Sequence, residues 1–175
     1  MAILEILKIP DARLKQSSEP VECFDDGLHA FIAELEETRL AGPAAVGIAA
    51  PQVARFQRIV ILDCSQTRRP VPHHGHLILV NPEITHWEGF ELGREGCLSV
   101  PDYTGNVIRA ERIKLVAQDI QGEPHEYEMV GYEARVLQHE VDHLDGLLFL
   151  DRVVSRRTDL FQRKVYRKGG KKKPA

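Results

Sequence analysis

Residues 132–146, YEARVLQHEVDHLDG, ask one helix to do two things at once. Ala134, Val136, Leu137, Val141 and Leu144 recur at helix-like intervals, so the segment must bury an apolar face against a core. Gly146 suits the position just past its end. Yet His139, Glu140, Asp142 and His143 lie in the same turns. His139 and His143 are four residues apart, which puts both imidazoles on one helical face and lets one metal ion take a nitrogen from each. Glu140 stands beside the first of them. It can reach a water at such an ion without being a ligand, accept the water's proton and later deliver it to a leaving nitrogen. A chain carrying this HExxH helix has to wrap other elements around it.

A catalytic metal site needs a third ligand and an open position. Cys97, in Glu95-Gly96-Cys97-Leu98-Ser99, is the best candidate. A thiolate and two neutral imidazoles leave a divalent ion with about one net positive charge and room for a water made acidic by the metal. A third segment, AVGIAAPQ (45–52), is crowded with small residues, so a substrate backbone can lie close to it, and Gln52 offers an amide donor. By itself that segment reads as a small-residue turn before a strand.

The rest of the chain suggests an α+β domain, with antiparallel sheets packed around the central metal-binding helix and a further helix at the C-terminus. Leu28, Phe31, Ile32, Leu35 and Leu40 mark a helix over 25–40, capped by Asp25 or Asp26 and ended by Gly42-Pro43. RIVILD (58–63) reads as a buried strand and LILVNPEI (77–84) as another, stopped by Asn81-Pro82. Residues 67–76 form a loop, and 106–120 and 125–130 are strand-like with a turn at QGEP. The 175 residues suit one core: a catalytic domain over 1–155, a basic helix over 156–168 and a basic tail over 169–175. His73, His74 and His76 read as loop residues and not as a second metal site. Cys23 and Cys64 read as small buried hydrophobes, and three irregularly spaced cysteines argue against a disulfide framework.

Taken together, AVGIAAPQ, EGCLS and QHEVDHLDG (138–146) resemble the three motifs of the peptide deformylase family, in the family's order and spacing. The resemblance implies metal-dependent removal of the formyl group from N-formyl-methionyl peptides and nascent proteins, releasing formate. It implies Cys97, His139 and His143 on the metal, with Fe(II) as the native ion and Zn, Ni or Co able to replace it. It assigns catalytic roles to Glu140, to Gln52 and to the backbone N–H of Leu98. It also places Val46 and Gly47 against the substrate, and pairs Arg109 with Asp142 behind the metal helix. An apolar pocket is expected to take the methionine side chain. The family's motif usually begins with glycine where this chain has Ala45, which would cost on the order of 1 kcal/mol if the position needed a positive φ.

Two other readings compete. A zinc endopeptidase of the HExxH kind needs a third His or Glu ligand after His143, and none follows. A deformylase-like protein that only binds peptides or ribosomes has no use for an intact Cys97, His139, Glu140, His143 and Gln52.

The formal net charge of −3 gives no overall pull toward nucleic acid, and no apolar run approaches the roughly 18 to 20 residues of a membrane span. After Asp159, however, seven Lys or Arg follow without an acid, which suits the phosphate-rich surface of the ribosome. With no secretory signal pattern, the expected place is the cytoplasm, or an organelle if a targeting segment precedes this sequence.

Overall fold

The computed structural model describes residues 2–43 and 45–163. In chain order its helices and strands are α1 (Asp26–Ala41), β1 (Gly47–Ala49), β2 (Ile59–Asp63), β3 (His76–Glu88), β4 (Glu91–Cys97), β5 (Val100–Arg109), β6 (Arg112–Gln118), β7 (Pro124–Val130), α2 (Gly131–Leu144) and β8 (Leu160–Gln162). Single 3-10 turns at Ala50–Val53 and Phe149–Asp151 flank the functional segments. The strands make a five-stranded sheet, β1-β2-β3-β6-β7, and a three-stranded sheet, β4-β5-β8. Every pairing is antiparallel. The fold is α+β, as the sequence suggests, with α2 as the buried central helix.

β2 explains why two helices can use one sheet. Successive side chains of a strand point to opposite faces. Ile59 and Ile61 join α1 residues Leu28, Phe31, Ile32 and Leu35. Val60 and Leu62 join Ala134, Leu137 and Leu144 of α2 on the other side. A strand covered on both faces needs a continuous apolar run, which is what RIVILD supplies. The smaller sheet has its own core, in which Cys97, Val100 and Val107 meet Leu7, Leu14, Leu148 and Phe149.

Four local expectations change. β3 does not stop at Asn81-Pro82 but runs on to Glu88. Asn81 adopts φ 51°, and its side chain bonds both Val21 backbone groups and Gln118, while the register shifts between Val80 and Glu83. Pro82 therefore falls in a bulge, where its missing N–H removes no ladder bond. The strand-like stretch from 106 onward is divided, because β5 ends at Arg109 in one sheet and β6 begins at Arg112 in the other. Cys23 is exposed, whereas Cys64 is buried.

The helix expected over 156–168 is not found in its described part. Residues 156–159 turn back on Ser155, and Leu160–Gln162 pair with Gly105–Tyr103 as β8. The reason is packing: Leu160 seats on the small sheet's core and an otherwise open β5 edge gains a partner. Residues 164–168 and the tail at 169–175 lie outside the described residues.

Candidate active site

Helix α2 is buried on nearly every side, so its polar side chains have to find partners in other elements. Glu133 takes the Nδ1 of His74 at 2.6 Å and its backbone N–H at 2.7 Å. Gln138 bonds both backbone groups of Ala110. Asp142 accepts from Arg109 at 2.5 Å and from Arg152 at 2.9 Å. His139 meets Glu95 through Nδ1 at 2.8 Å, leaving Nε2 for a ligand role. Nε2 of His143 lies 3.3 Å from Cys97 Sγ. Among the described, buried side-chain oxygens and nitrogens of α2, one has no partner: Oε2 of Glu140.

Cys97, His139 and His143 are brought together, with ligand atoms all within 4.8 Å of one another, and they are the one such group among the described residues. Three elements achieve this. β4 ends on Cys97, the two-residue turn Leu98-Ser99 follows, and α2 lies across both. Burial alone would push the Cys97 thiol up, but the charge of His143 and hydrogen bonds from both histidines hold it well below the ordinary thiol range. Burial would likewise depress His139, yet Cys97 and Glu95 hold it well above the ordinary imidazole value. A thiolate beside two imidazoles, three donors and no fourth, is the composition of a catalytic divalent-metal site, and these residues fit such an ion. His74 is engaged by Glu133, and His76 lies 2.9 Å from Glu36.

The surrounding residues fix the site's edges. Gln52, in the 3-10 turn after β1, accepts the Ala49 N–H through Oε1 at 2.9 Å. That sets the amide so that Nε2 faces Cys97 Sγ at 3.5 Å and Ser99 Oγ at 3.1 Å. Gly47 lies against Glu140, where a Cβ would stand 2.8 Å from Oε1. A larger residue there would have to displace the Glu140 carboxylate. Val46, Gly47, Gln52, Leu98 and Glu140 line a cavity of about 300 Å³ with Cys97 and His139. Its far wall is not wholly apolar, since Arg94, Arg135 and Arg163 stand there with Tyr132 and Val136.

The sequence reading gave Glu95 no role, and it is the hub. Its carboxylate takes Nε and Nη2 of Arg109, both at 2.9 Å, Nη1 of Arg135 at 2.7 Å and Nδ1 of His139. Burial opposes its ionisation, but His139 and Arg109 hold the carboxyl well below the usual range. Its position two before Cys97 on a strand was the available signal, because residues i and i+2 share a face. Arg109 thus bridges Glu95 and Asp142, tying the strand side of the site to the helix side.

The sequence model of the polypeptide deformylase family matches residues 3–159. The chain belongs to that family. Peptide deformylase 3 of Shewanella oneidensis is 39% identical over 94% of this chain and 98% of its own length. The peptide deformylase of Thermodesulfovibrio yellowstonii is 40% identical over 94% and 97%. Among solved structures, peptide deformylase from Thermotoga maritima superposes with a TM-score of 0.81 at 36% identity, covering 89% of this chain and 100% of that one. A Met-Ala-Ser-bound class I type b deformylase from Acinetobacter baumannii gives 0.82 at 38%, covering 87% and 99%. This deformylase is accordingly a metal-dependent hydrolase of N-formyl-methionyl peptides. No helix among its described residues is long and apolar enough to cross a membrane.

Proposed function

We propose that deformylation in this chain is carried by Glu140 as the proton carrier, with Cys97, His139 and His143 holding Fe(II). The buried, unpartnered Oε2 of Glu140 beside that ligand group is the observation that carries the reading. When bound, the ion supplies Lewis-acid charge, polarising the formyl oxygen and acidifying water. Glu140 accepts a proton from the attacking water and returns it to the amine nitrogen as the C–N bond breaks, giving formate and a free methionine N-terminus. Burial raises the Glu140 carboxyl, against the pull of His139 and His143, which makes it a better proton acceptor than an exposed glutamate. Gln52 Nε2 and the Leu98 N–H at the β4–β5 turn receive the developing oxyanion. Val46 and Gly47 line the cavity and are the proposed seat of the substrate backbone.

Arg109 and Asp142 act behind the ligands, holding the strand and helix sides in register. The endopeptidase reading gains nothing, since the third ligand position is filled by Cys97 rather than by a residue after His143. The basic residues from Lys164 onward, which lie outside the described residues, are proposed to dock on ribosomal RNA in the cytoplasm. Formate release from formyl-Met-Ala-Ser, measured with metal content for wild type and Glu140→Gln, tests the chemistry. A variant with full metal and near-normal turnover excludes Glu140. Chain ending after Arg163 should bind ribosomes more weakly and with a flatter salt dependence, and unchanged binding excludes docking through that segment.

A further inference from the structure

We infer that Arg94 and Arg163 form a carboxylate-recognising subsite that favours formyl-methionyl peptides with Asp or Glu in the one or two positions after methionine. The inference rests on the deformylase reading and deepens it. Both arginines line the cavity that contains Cys97, His139 and Glu140. They are placed by the small sheet. Arg94 and Gly96 are two apart on β4, and Phe161 and Arg163 are two apart across the end of β8, so each pair shares a face. Thr104 lies across from both Gly96 and Phe161, which puts all four on the same side.

Each arginine is held in place. Arg94 lies over the Phe161 ring at 3.6 Å and donates Nε to Asn106 Oδ1 at 3.2 Å. The Arg163 backbone N–H donates to Asp102 O at 2.7 Å, and its guanidinium covers Gly96 in the space a Cβ would occupy. Gly96 adjoins Cys97, so Arg163 stands about one residue, ~3.8 Å of backbone, from a proposed metal ligand. An extended peptide advances about 3.4 Å per residue, which brings the side chains just beyond methionine into this neighbourhood.

The charge inventory of the cavity decides what those side chains should be. Arg135, the third arginine, is occupied by Glu95 and by the carbonyls of Val107 and Glu91. Glu95 is itself taken by two arginines and His139, and Glu140 is buried against Gly47. Neither Arg94 nor Arg163 has a carboxylate partner among the described residues. Two guanidiniums on one face present forked donors that match a carboxylate.

The test compares formyl-Met-Asp-Asp, formyl-Met-Ala-Ala and formyl-Met-Lys-Lys as substrates of the metal-loaded wild type, Arg94→Gln and the Arg94→Gln/Arg163→Gln double variant. Binding of the product peptides Met-Asp-Asp and Met-Ala-Ala is followed by calorimetry. The acidic substrate is expected to have a KM roughly 3- to 10-fold below the neutral one, with the lysine peptide worse than both. The acidic-to-neutral ratio should fall toward one in the double variant and in 1 M salt. Equal KM values for acidic and neutral substrates in the wild type overturn the inference, as does an acidic preference that survives in the double variant. Turnover of formyl-Met-Ala-Ala tests the deformylase reading separately, and the product peptides read the subsite without any turnover. Thermal melts of Arg94→Gln distinguish a lost subsite from a loosened β8.

Discussion

Two buried glutamates act on His139, one from strand β4 and one from its own helix, and the protein treats them oppositely. On the strand wall, Glu95 is surrounded by Arg109, Arg135 and His139, and its carboxyl is held well below the usual range. On the helix wall, Glu140 has no partner for Oε2, and its carboxyl is raised by burial. The charge of the first is committed to architecture, because it orients a ligand and neutralises two arginines. The second is left free to gain and lose a proton. Environments that push two titratable groups apart separate their roles, and here one sequence of alternating contacts produces both.

The sharpest way to test that contrast is to neutralise each carboxylate in turn. Glu140→Gln should lower kcat by roughly 10² to 10⁴ while metal content stays full. Urea unfolding of the metal-free protein at pH 7 should show this variant no less stable than the wild type, because a buried carboxylate without a partner has been removed. A large loss of stability would place Glu140 in the architecture instead.

Glu95→Gln should do the reverse. It strips the counter-charge from buried Arg135 and leaves Arg109 with Asp142 alone, at a cost of about 3–5 kcal/mol in unfolding free energy. It also loosens His139, lowering metal affinity by roughly 10- to 100-fold in a competition titration with a chelator. The sign with pH follows from the direction of its shift. A carboxyl held below its usual 4.5 contributes stability that is fully present above that value and is lost as pH falls beneath it. Wild-type stability should therefore drop more steeply between pH 5 and 3 than that of Glu95→Gln, and parallel slopes would refute the assignment.

Smaller effects should follow at the margins. Arg152→Ala removes a half-exposed partner of Asp142, which keeps Arg109, so the loss should stay below about 1 kcal/mol in a thermal or urea melt. Thiol labelling should separate the cysteines without any change in stability. Cys23 is exposed and should react readily. Cys64, pushed up to about 12 by burial and the nearby charges of Glu133 and Asp63, should stay unlabelled in the folded protein at pH 8. Rapid labelling of Cys64 would mean that the core between α2 and the larger sheet opens.

The ligand triad could be read from the chain because two of its members are fixed by helix geometry alone and the third sits in a short segment of recognisable chemistry. Glu95 was not singled out because its meaning lies in contacts 14, 40 and 44 residues away, with Arg109, Arg135 and His139. Asn81-Pro82 misled for a similar reason. Local preference says that a strand ends there, but the bonds of Asn81 to Val21 and Gln118 make a bulge stable instead. Segment 156–163 has the composition of a charged helix, yet β5 has an open edge and Leu160 has a core to join. Periodicity carries no information about an edge formed by residues 100–109.

The contact between Gly47 and Glu140 restricts how this protein can change over time. A methyl group at position 47 would stand 2.8 Å from Glu140 Oε1 and 3.0 Å from its Cγ, so residue 47 can grow only if residue 140 moves or shortens. The two positions are 93 apart in sequence, yet a side chain at the first competes for space with the second. A lineage that enlarges residue 47 first passes through an intermediate in which the proton carrier is displaced.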